Sequence, residues 1–320
     1  MGGGRADVIG VAGAGAWGTA LALVAARAGR PVRLWARDPA RTGALAATLP
    51  EAVAITSDLA RLNGLGTLLL VVPAQAVRET CRGLRGHAGR VVICAKGLER
   101  ATGLRLSEVV RAELPDAVPA ALSGPSFAAE VAAGLPTALT LAAERLDETA
   151  AVAELLATPG FRLYPSDDLL GVELGGALKN VVAIAAGAVT GRGLGENARA
   201  ALITRGLAEM ARLGEALGAR RETLMGLSGL GDLLLTATSL TSRNTRFGHA
   251  LGLGRSVGEL LAPGEALSEG AFTAEAACRL AATVGVELPV ADAVRRVLAG
   301  ELTVGTAVEL LLARPPAARE

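Results

Sequence analysis

At 320 residues the chain is long enough for two domains, and its 32 basic and 31 acidic residues leave a net charge of +1. That balance, with four Phe, two Trp and one Tyr in the whole chain, argues against nucleic acid as a partner, because both a basic footprint and stacking platforms are missing. Three widely spaced cysteines (Cys81, Cys94, Cys278) and two histidines (His87, His249) exclude a disulfide framework and a Cys/His zinc site, so no metal is expected.

The opening MGGGRADVIG holds no apolar stretch of signal-peptide length, which points to a cytoplasmic, reducing setting. Short apolar runs at Asp7–Ala12, Val32–Trp35, Thr67–Val72, Arg90–Ala95, Val118–Leu122 and Thr137–Leu141 predict buried strands. Between them, Ala16–Ala28, Ala74–Leu84, Gly103–Glu113 and Ser126–Ala133 predict helices. This alternation implies an α/β domain with a mostly parallel sheet covered on both faces. From about Asp167 the pattern turns to long helical periodicity, at Leu169–Thr190, Asn197–Leu217, Asn244–Leu251, Phe272–Val284 and Val290–Leu298, with no strand among them. The boundary falls near Pro165–Asp168, giving a dinucleotide-binding Rossmann-like domain over 1–166 and an all-helical substrate domain over 167–320, with a frayed tail at Arg314–Glu320. The most membrane-like stretch, Leu169–Val189, carries Glu173, Lys179 and Asn180, so it reads as a buried helix and no membrane insertion is expected. A nucleotide-type sheet followed by a helical half suggests a ligand cleft between the two, with functional residues drawn from both.

The 41 glycines sit in short clusters without a G-X-Y period, so they serve turns and close backbone approaches. One cluster carries chemistry. The first strand runs into Gly13-Ala14-Gly15-Ala16-Trp17-Gly18, where G-x-G-x-x-G at a strand-to-helix turn provides a tight turn, a close approach to a pyrophosphate and helix–strand packing. Helix N-terminal amides then face the anion. At the end of the second strand an acidic residue would bind a ribose hydroxyl and an arginine a 2′-phosphate. Arg37 comes first there, with Asp38 adjacent and Arg41 one turn on; this favours NADPH and leaves NAD open.

Of the 32 basic residues only Lys96 and Lys179 are lysines. In a chain that uses arginine for nearly every positive charge, retained ammonium groups are candidates for chemistry that needs a removable proton. Lys96 follows a strand, in Ala95-Lys96-Gly97-Leu98-Glu99, where the carboxyl ends of a parallel sheet meet ligand. Lys179 lies in the apolar stretch Gly175-Gly176-Ala177-Leu178-Lys179-Asn180; buried there it must find partners or lose charge, and either makes it an acid/base candidate. Asp232, in Leu227-Ser228-Gly229-Leu230-Gly231-Asp232, taken alone reads as a helix cap. Ser242-Arg243-Asn244 begins a helix, where an arginine fork, an amide and backbone N–H groups suit a phosphate, although plain capping is the competing reading.

The motifs GAGAWGTALA (13–22), VVPAQ (71–75), AKGLE (95–99), SGPSFAAEV (123–131), GVELGGALKNVVAIAAG (171–187), ARAALITRGLAEM (198–210), GLSGLGDLLLT (226–236) and SRNTRFG (242–248) resemble, in order and spacing, the bacterial soluble NAD(P)-dependent sn-glycerol-3-phosphate dehydrogenases. The resemblance runs from residue 8 to about 300. It implies a helical half of the 6-phosphogluconate-dehydrogenase-like type and hydride transfer between NAD(P)H and dihydroxyacetone phosphate, giving sn-glycerol 3-phosphate for glycerophospholipid synthesis. It places Lys179 as the acid/base, assisted by Lys96 and Asp232 through polar contacts to substrate and to each other. It places Gly124 and Ser126 at the substrate, and Ser242, Arg243 and Asn244 at its phosphate end. Gly13, Gly15, Ala16, Trp17, Gly18, Arg37, Lys96, Ala128 and Arg243 fall at cofactor positions. Where the family shows a V-V-E-G-like run, this chain departs with Ala266-Leu267-Ser268-Glu269-Gly270; Glu269 is carried over as a cofactor residue, and Leu267 with it. Two other readings stay open: a β-hydroxyacid dehydrogenase of similar build, which would act on carboxylates, and a non-catalytic NAD(P)H-binding sensor, which would need neither lysine. The apolar helices of the second half are compatible with a homodimer.

Overall fold

Runs of apolar residues without polar alternation settle where both faces of a strand are covered, as in IGVA and TLLL, whose four residues are all buried; the first half forms eight strands in all. The strands are β1 (Ile9–Ala12), β2 (Val32–Trp35), β3 (Val53–Thr56), β4 (Thr67–Leu70), β5 (Arg90–Ile93), β6 (Val118–Ser123), β7 (Thr137–Ala143) and β8 (Phe161–Ser166). They form one sheet in the order β3-β2-β1-β4-β5-β6-β7-β8. The first six are parallel, β7 runs antiparallel to β6, and β8 lies parallel to β7. The computed structural model describes residues 8–38, 48–262 and 268–313.

Side chains alternate across the sheet, and this divides the core. Leu69, Val92 and Leu122 join Val24 and Leu34 in one apolar cluster, while Leu68, Leu70, Val91 and Ile93 join Leu106 and Val109 in another. The helices α1 (Ala16–Arg27), α2 (Val77–Arg82), α3 (Leu106–Glu113), α4 (Ala128–Ala133) and α5 (Leu146–Leu156) supply the rest. Two strands escaped the sequence reading. β3, with sequence VAIT, is a short edge strand with one fully buried position. β8, with sequence FRLYPS, mixes polar residues and Pro165 at the other edge, where a residue without N–H is tolerated.

The remaining helices are α6 (Leu169–Gly191), α7 (Gly195–Leu217), α8 (Arg221–Leu224), α9 (Asp232–Ala237), α10 (Arg243–Gly252), α11 (Val257–Leu260), α12 (Glu269–Thr283), α13 (Pro289–Leu298) and α14 (Val304–Ala313). No strand occurs among the described residues beyond β8. The chain divides into a sheet unit, Met1–Glu99 with Leu104–Glu173, and a helical unit, Arg100–Gly103 with Leu174–Glu320. By length and composition α6 could cross a membrane, yet 94% of its most apolar window is buried inside the protein. Glycine explains how that helix is covered. A Cβ on Gly187 would sit 2.1 Å from the Thr245 carbonyl oxygen, and one on Gly248 would sit 1.9 Å from that of Ile184, so α6 and α10 cross with their backbones in contact.

Glu209 on α7 accepts the N–H groups of Val290 (2.8 Å) and Ala291 (3.3 Å) at the start of α13, satisfying donors that a helix leaves open. Burial pushes its carboxyl up from 4.5 to about 7 against those two donors. The folded state therefore holds this proton more tightly than the unfolded chain, and its stabilisation is full below about pH 4.5 and lost as pH rises through about 7. In urea unfolding, the stability of wild type relative to Glu209→Gln is expected to fall by about 3 kcal/mol between pH 4 and pH 8. A difference that does not change with pH contradicts this assignment.

Candidate active site

The glycine loop between β1 and α1 lies where the strand order reverses, between β1 and β4, the place where open α/β sheets bind ligands. Each glycine has a physical reason. Gly13 has φ +120° and a Cβ there would meet the Val71 carbonyl oxygen at 2.8 Å; a Cβ on Gly18 would lie 1.8 Å from the Gly13 carbonyl oxygen. Beside Gly15, by contrast, a Cβ would meet nothing within 4 Å. Backbone is thus drawn tight on both sides of an open cradle. No side chain caps α1 and its first turn holds no acid, so the helix start offers N–H groups and positive dipole to an anion. These features fit a dinucleotide pyrophosphate. Ala16 is exposed and Trp17 half-buried at this turn, and Trp17 and Ala128, the first residue of α4, both pack on the same apolar cluster. Arg37 and Asp38 are exposed just past β2; Arg41 lies outside the described residues.

Lys96 stands three residues past β5 and donates from Nζ to the Gly124 carbonyl oxygen at 3.1 Å. Ser126 Oγ donates to the same oxygen at 3.0 Å, so Lys96, Gly124 and Ser126 are brought together beyond the ends of β5 and β6. The loop that carries Lys96 is fastened from two sides: Gln75 Nε2 donates to the Leu98 carbonyl (2.9 Å), and Arg78 forms a two-pronged ion pair with Glu99 (2.8 and 2.7 Å). The VVPAQ and AKGLE motifs are therefore one mechanical piece.

In the helical unit Lys179 is 6% exposed, and its ammonium donates to Asp232 Oδ1 at 2.9 Å and to Thr236 Oγ1 at 2.6 Å. Thr236 Oγ1 in turn donates to Asp232 Oδ1 at 3.3 Å. Asp232 and Thr236 are 2% and 4% exposed. A buried ammonium needs such a paired, hydrogen-bonded carboxylate, so Asp232 holds the lysine instead of serving only as a helix start. The approach depends on Gly175, where a Cβ would lie 2.8 Å from the Ser228 carbonyl oxygen. That contact brings α6 against the π-helical turn Leu227–Gly231, which leads directly into Asp232. Thr236 was missed in the sequence reading, although its spacing of four from Asp232 is the signal that puts both on one helix face.

At the start of α10, Ser242 Oγ accepts the N–H of Thr245 at 3.3 Å, so its side chain is the helix cap that the competing reading anticipated. Arg243 is exposed at the first position of the helix, whereas Arg246 donates to the carbonyls of Leu240 and Thr241 (2.8 and 3.0 Å). Asn244 is buried, and its Nδ2 donates to Asn180 Oδ1 at 2.8 Å. Glu269 is half-buried as the first residue of α12, while Leu267 lies outside the described residues. An apolar cleft elsewhere in the helical unit, lined by residues such as Val189, Val294 and Leu311, offers a phosphate no polar side chain. Among the described residues no group of His, Cys, Asp or Glu is placed to hold a metal ion.

Residues 8–149 match the family described as NAD-dependent glycerol-3-phosphate dehydrogenase N-terminus, and residues 168–309 match its C-terminus. The chain belongs to this family. It is 53% identical over 322 residues to a glycerol-3-phosphate dehydrogenase (NAD(P)+) of Methylobacterium radiotolerans, with 96% of each chain covered. It is 52% identical to the protein of that name from Rhodospirillum rubrum, with 97% of this chain and 93% of the relative covered. Among solved structures, the glycerol-3-phosphate dehydrogenase of Coxiella burnetii superposes with a TM-score of 0.91 at 42% identity, covering 97% of this chain and all of that one. The family's architecture, a mostly parallel Rossmann-like sheet followed by a helical half, is the one described above.

Proposed function

We propose that the chain is an NAD(P)-dependent sn-glycerol-3-phosphate dehydrogenase that interconverts dihydroxyacetone phosphate and sn-glycerol 3-phosphate, with the product feeding glycerophospholipid synthesis. The observation that carries the mechanism is the buried ammonium of Lys179, held by Asp232 and Thr236 in a chain whose two halves both match this family.

Gly13, Gly15 and Gly18, with the open start of α1 and its residues Ala16 and Trp17, would hold the pyrophosphate end of the cofactor, with Ala128, Arg37 and Glu269 contributing elsewhere. When bound in reduced form, the nicotinamide supplies a hydride to C2 of the ketone. The negative charge that develops on the C2 oxygen is met by the Lys179 ammonium, which then gives that oxygen its proton. In the reverse direction the amine takes the proton back. Asp232 and Thr236 fix the direction of Nζ, so little reorganisation is needed at the moment of transfer. Lys96, set beside Gly124 and Ser126, would supply a second positive charge to the substrate. Arg243, at a helix start where N–H groups and dipole also favour an anion, takes the substrate phosphate. The thiols of Cys81, Cys94 and Cys278 are free, which supports a reducing, cytoplasmic setting.

The test is oxidation of NADPH and of NADH by the purified protein with dihydroxyacetone phosphate, run beside 3-hydroxy acids. Turnover is expected with the phosphate ester and not with the acids, and with NADPH favoured over NADH. Arg37→Ala is expected to raise KM for NADPH about 10-fold while leaving that for NADH within about 2-fold, the loss of one charge-assisted hydrogen bond. Tight NADPH binding without turnover contradicts the enzymatic reading, and an unchanged NADPH/NADH ratio in Arg37→Ala removes that residue's role.

A further inference from the structure

The structure gives the hydroxyl of Ser268 an unusual task. Ser268 occupies the N-cap of α12, yet its side chain makes no cap bond. A serine there ordinarily accepts an N–H of the first turn. Here the first-turn N–H of Gly270 goes instead to Asn244 Oδ1 at 3.0 Å, and Ser268 Oγ, 1% exposed, donates to the same oxygen at 2.7 Å. Asn244 thus caps α12 from α10.

A backbone N–H can only donate, so its bond identifies Oδ1 of Asn244 and fixes which way the amide faces. Both lone pairs of that oxygen are then filled, one by Gly270 and one by Ser268. Asn244 Nδ2 must face the other way, and it does, donating to Asn180 Oδ1 at 2.8 Å. The register is further fixed because a Cβ on Gly270 would lie 2.5 Å from the Asn180 carbonyl oxygen. Ser268 and Gly270 at the start of α12, Asn244 at the start of α10 and Asn180 next to Lys179 are joined in one chain of hydrogen bonds.

We propose that Ser268 is a positioning and specificity-determining residue: by filling the second lone pair of Asn244 Oδ1, it makes Asn244 a donor-only group at the start of α10, the form that a phosphate dianion requires. This rests on the reading that Arg243 and Asn244 face the substrate phosphate. With the hydroxyl gone, a carbonyl oxygen with an open lone pair, held by Gly270 alone, is able to turn toward the anion and repel it.

The test compares wild type, Ser268→Ala, Ser268→Cys and Ser268→Thr with dihydroxyacetone phosphate, and measures inorganic phosphate as an inhibitor competing with it. Ser268→Ala is expected to raise KM for the phosphate ester and the inhibition constant of phosphate together, about 10-fold, the size of one such hydrogen bond. Its kcat and its KM for NADPH should stay within about 2-fold. Ser268→Thr, which keeps the donor, should restore wild-type values, and Ser268→Cys, a weak donor, should fall between. Where the alanine protein does not fold, the cysteine variant decides. Unchanged KM and phosphate inhibition in Ser268→Ala or Ser268→Cys overturns the proposal, as does a rise that Thr fails to rescue or one shared equally by NADPH. Wild-type turnover together with a KM defect in Arg243→Ala keeps the phosphate-site reading standing if Ser268 fails; absence of that Arg243 defect sinks the reading itself.

Discussion

Lys179→Ala is expected to lower kcat with dihydroxyacetone phosphate by about 10²–10⁴, the range for loss of a positioned acid, while NADPH binding followed by its fluorescence stays within about 2-fold. The same substitution strands Asp232, 2% exposed, without its cation, and breaking a buried pair in this way costs about 3–5 kcal/mol of stability. Lost turnover could then be mistaken for lost fold. The double variant Lys179→Met/Asp232→Leu separates the two effects, because an apolar pair of similar volume removes the stranded charge. It should regain most of the stability in urea and none of the turnover. Recovery of turnover along with stability would mean that Lys179 is a structural cation only.

Arg243→Ala is expected to lower kcat/KM for dihydroxyacetone phosphate by about 10–150-fold, the equivalent of about 1.5–3 kcal/mol for a hydrogen bond to a charged group. Most of the loss should appear in KM. The residue is exposed at the first position of α10 and Arg246 is held by two carbonyls, so stability should hardly change. Unphosphorylated dihydroxyacetone supplies the control: its kcat/KM, expected to be low in wild type for want of the phosphate contact, should stay within about 2-fold. An equal loss toward both substrates contradicts a phosphate role and points to cofactor or to general disruption.

Thr67–Leu70 was legible as a strand because an unbroken apolar run between turn signals has few other places to go, and its neighbours Leu68 and Leu69 do sit on opposite faces of the sheet. Phe161–Ser166 was not, because an edge position relaxes the demand for apolar residues and accepts a proline. Within the site, Lys179 stood out by its chemistry: one of two lysines, set in an apolar helix. Asp232 was named beside Lys179 only through the family resemblance; its own position gives no sign of the pairing, since a carboxylate at a helix start has an adequate local explanation. The roles of Thr236 and Ser268 were harder to see, for a deeper reason. A hydroxyl has local options, a helix cap or a partner one turn away, but the bond that gives each of these its role is to a residue brought there by packing: Lys179 across the Gly175 contact for one, Asn244 on α10 for the other. Ser242 shows the converse, since its cap to Thr245 is local and the capping pattern already contained it.

Lys179→Arg addresses the proposed chemistry most directly. Arginine keeps the positive charge and can still pair with Asp232, but its guanidinium does not give up a proton at any working pH. Single-turnover NADPH oxidation with saturating dihydroxyacetone phosphate, on variant protein shown to be folded and to bind NADPH normally, should be at least about 100-fold slower than wild type. A rate within about 10-fold of wild type would mean that charge alone suffices, and that the proton reaches the C2 oxygen from some other group.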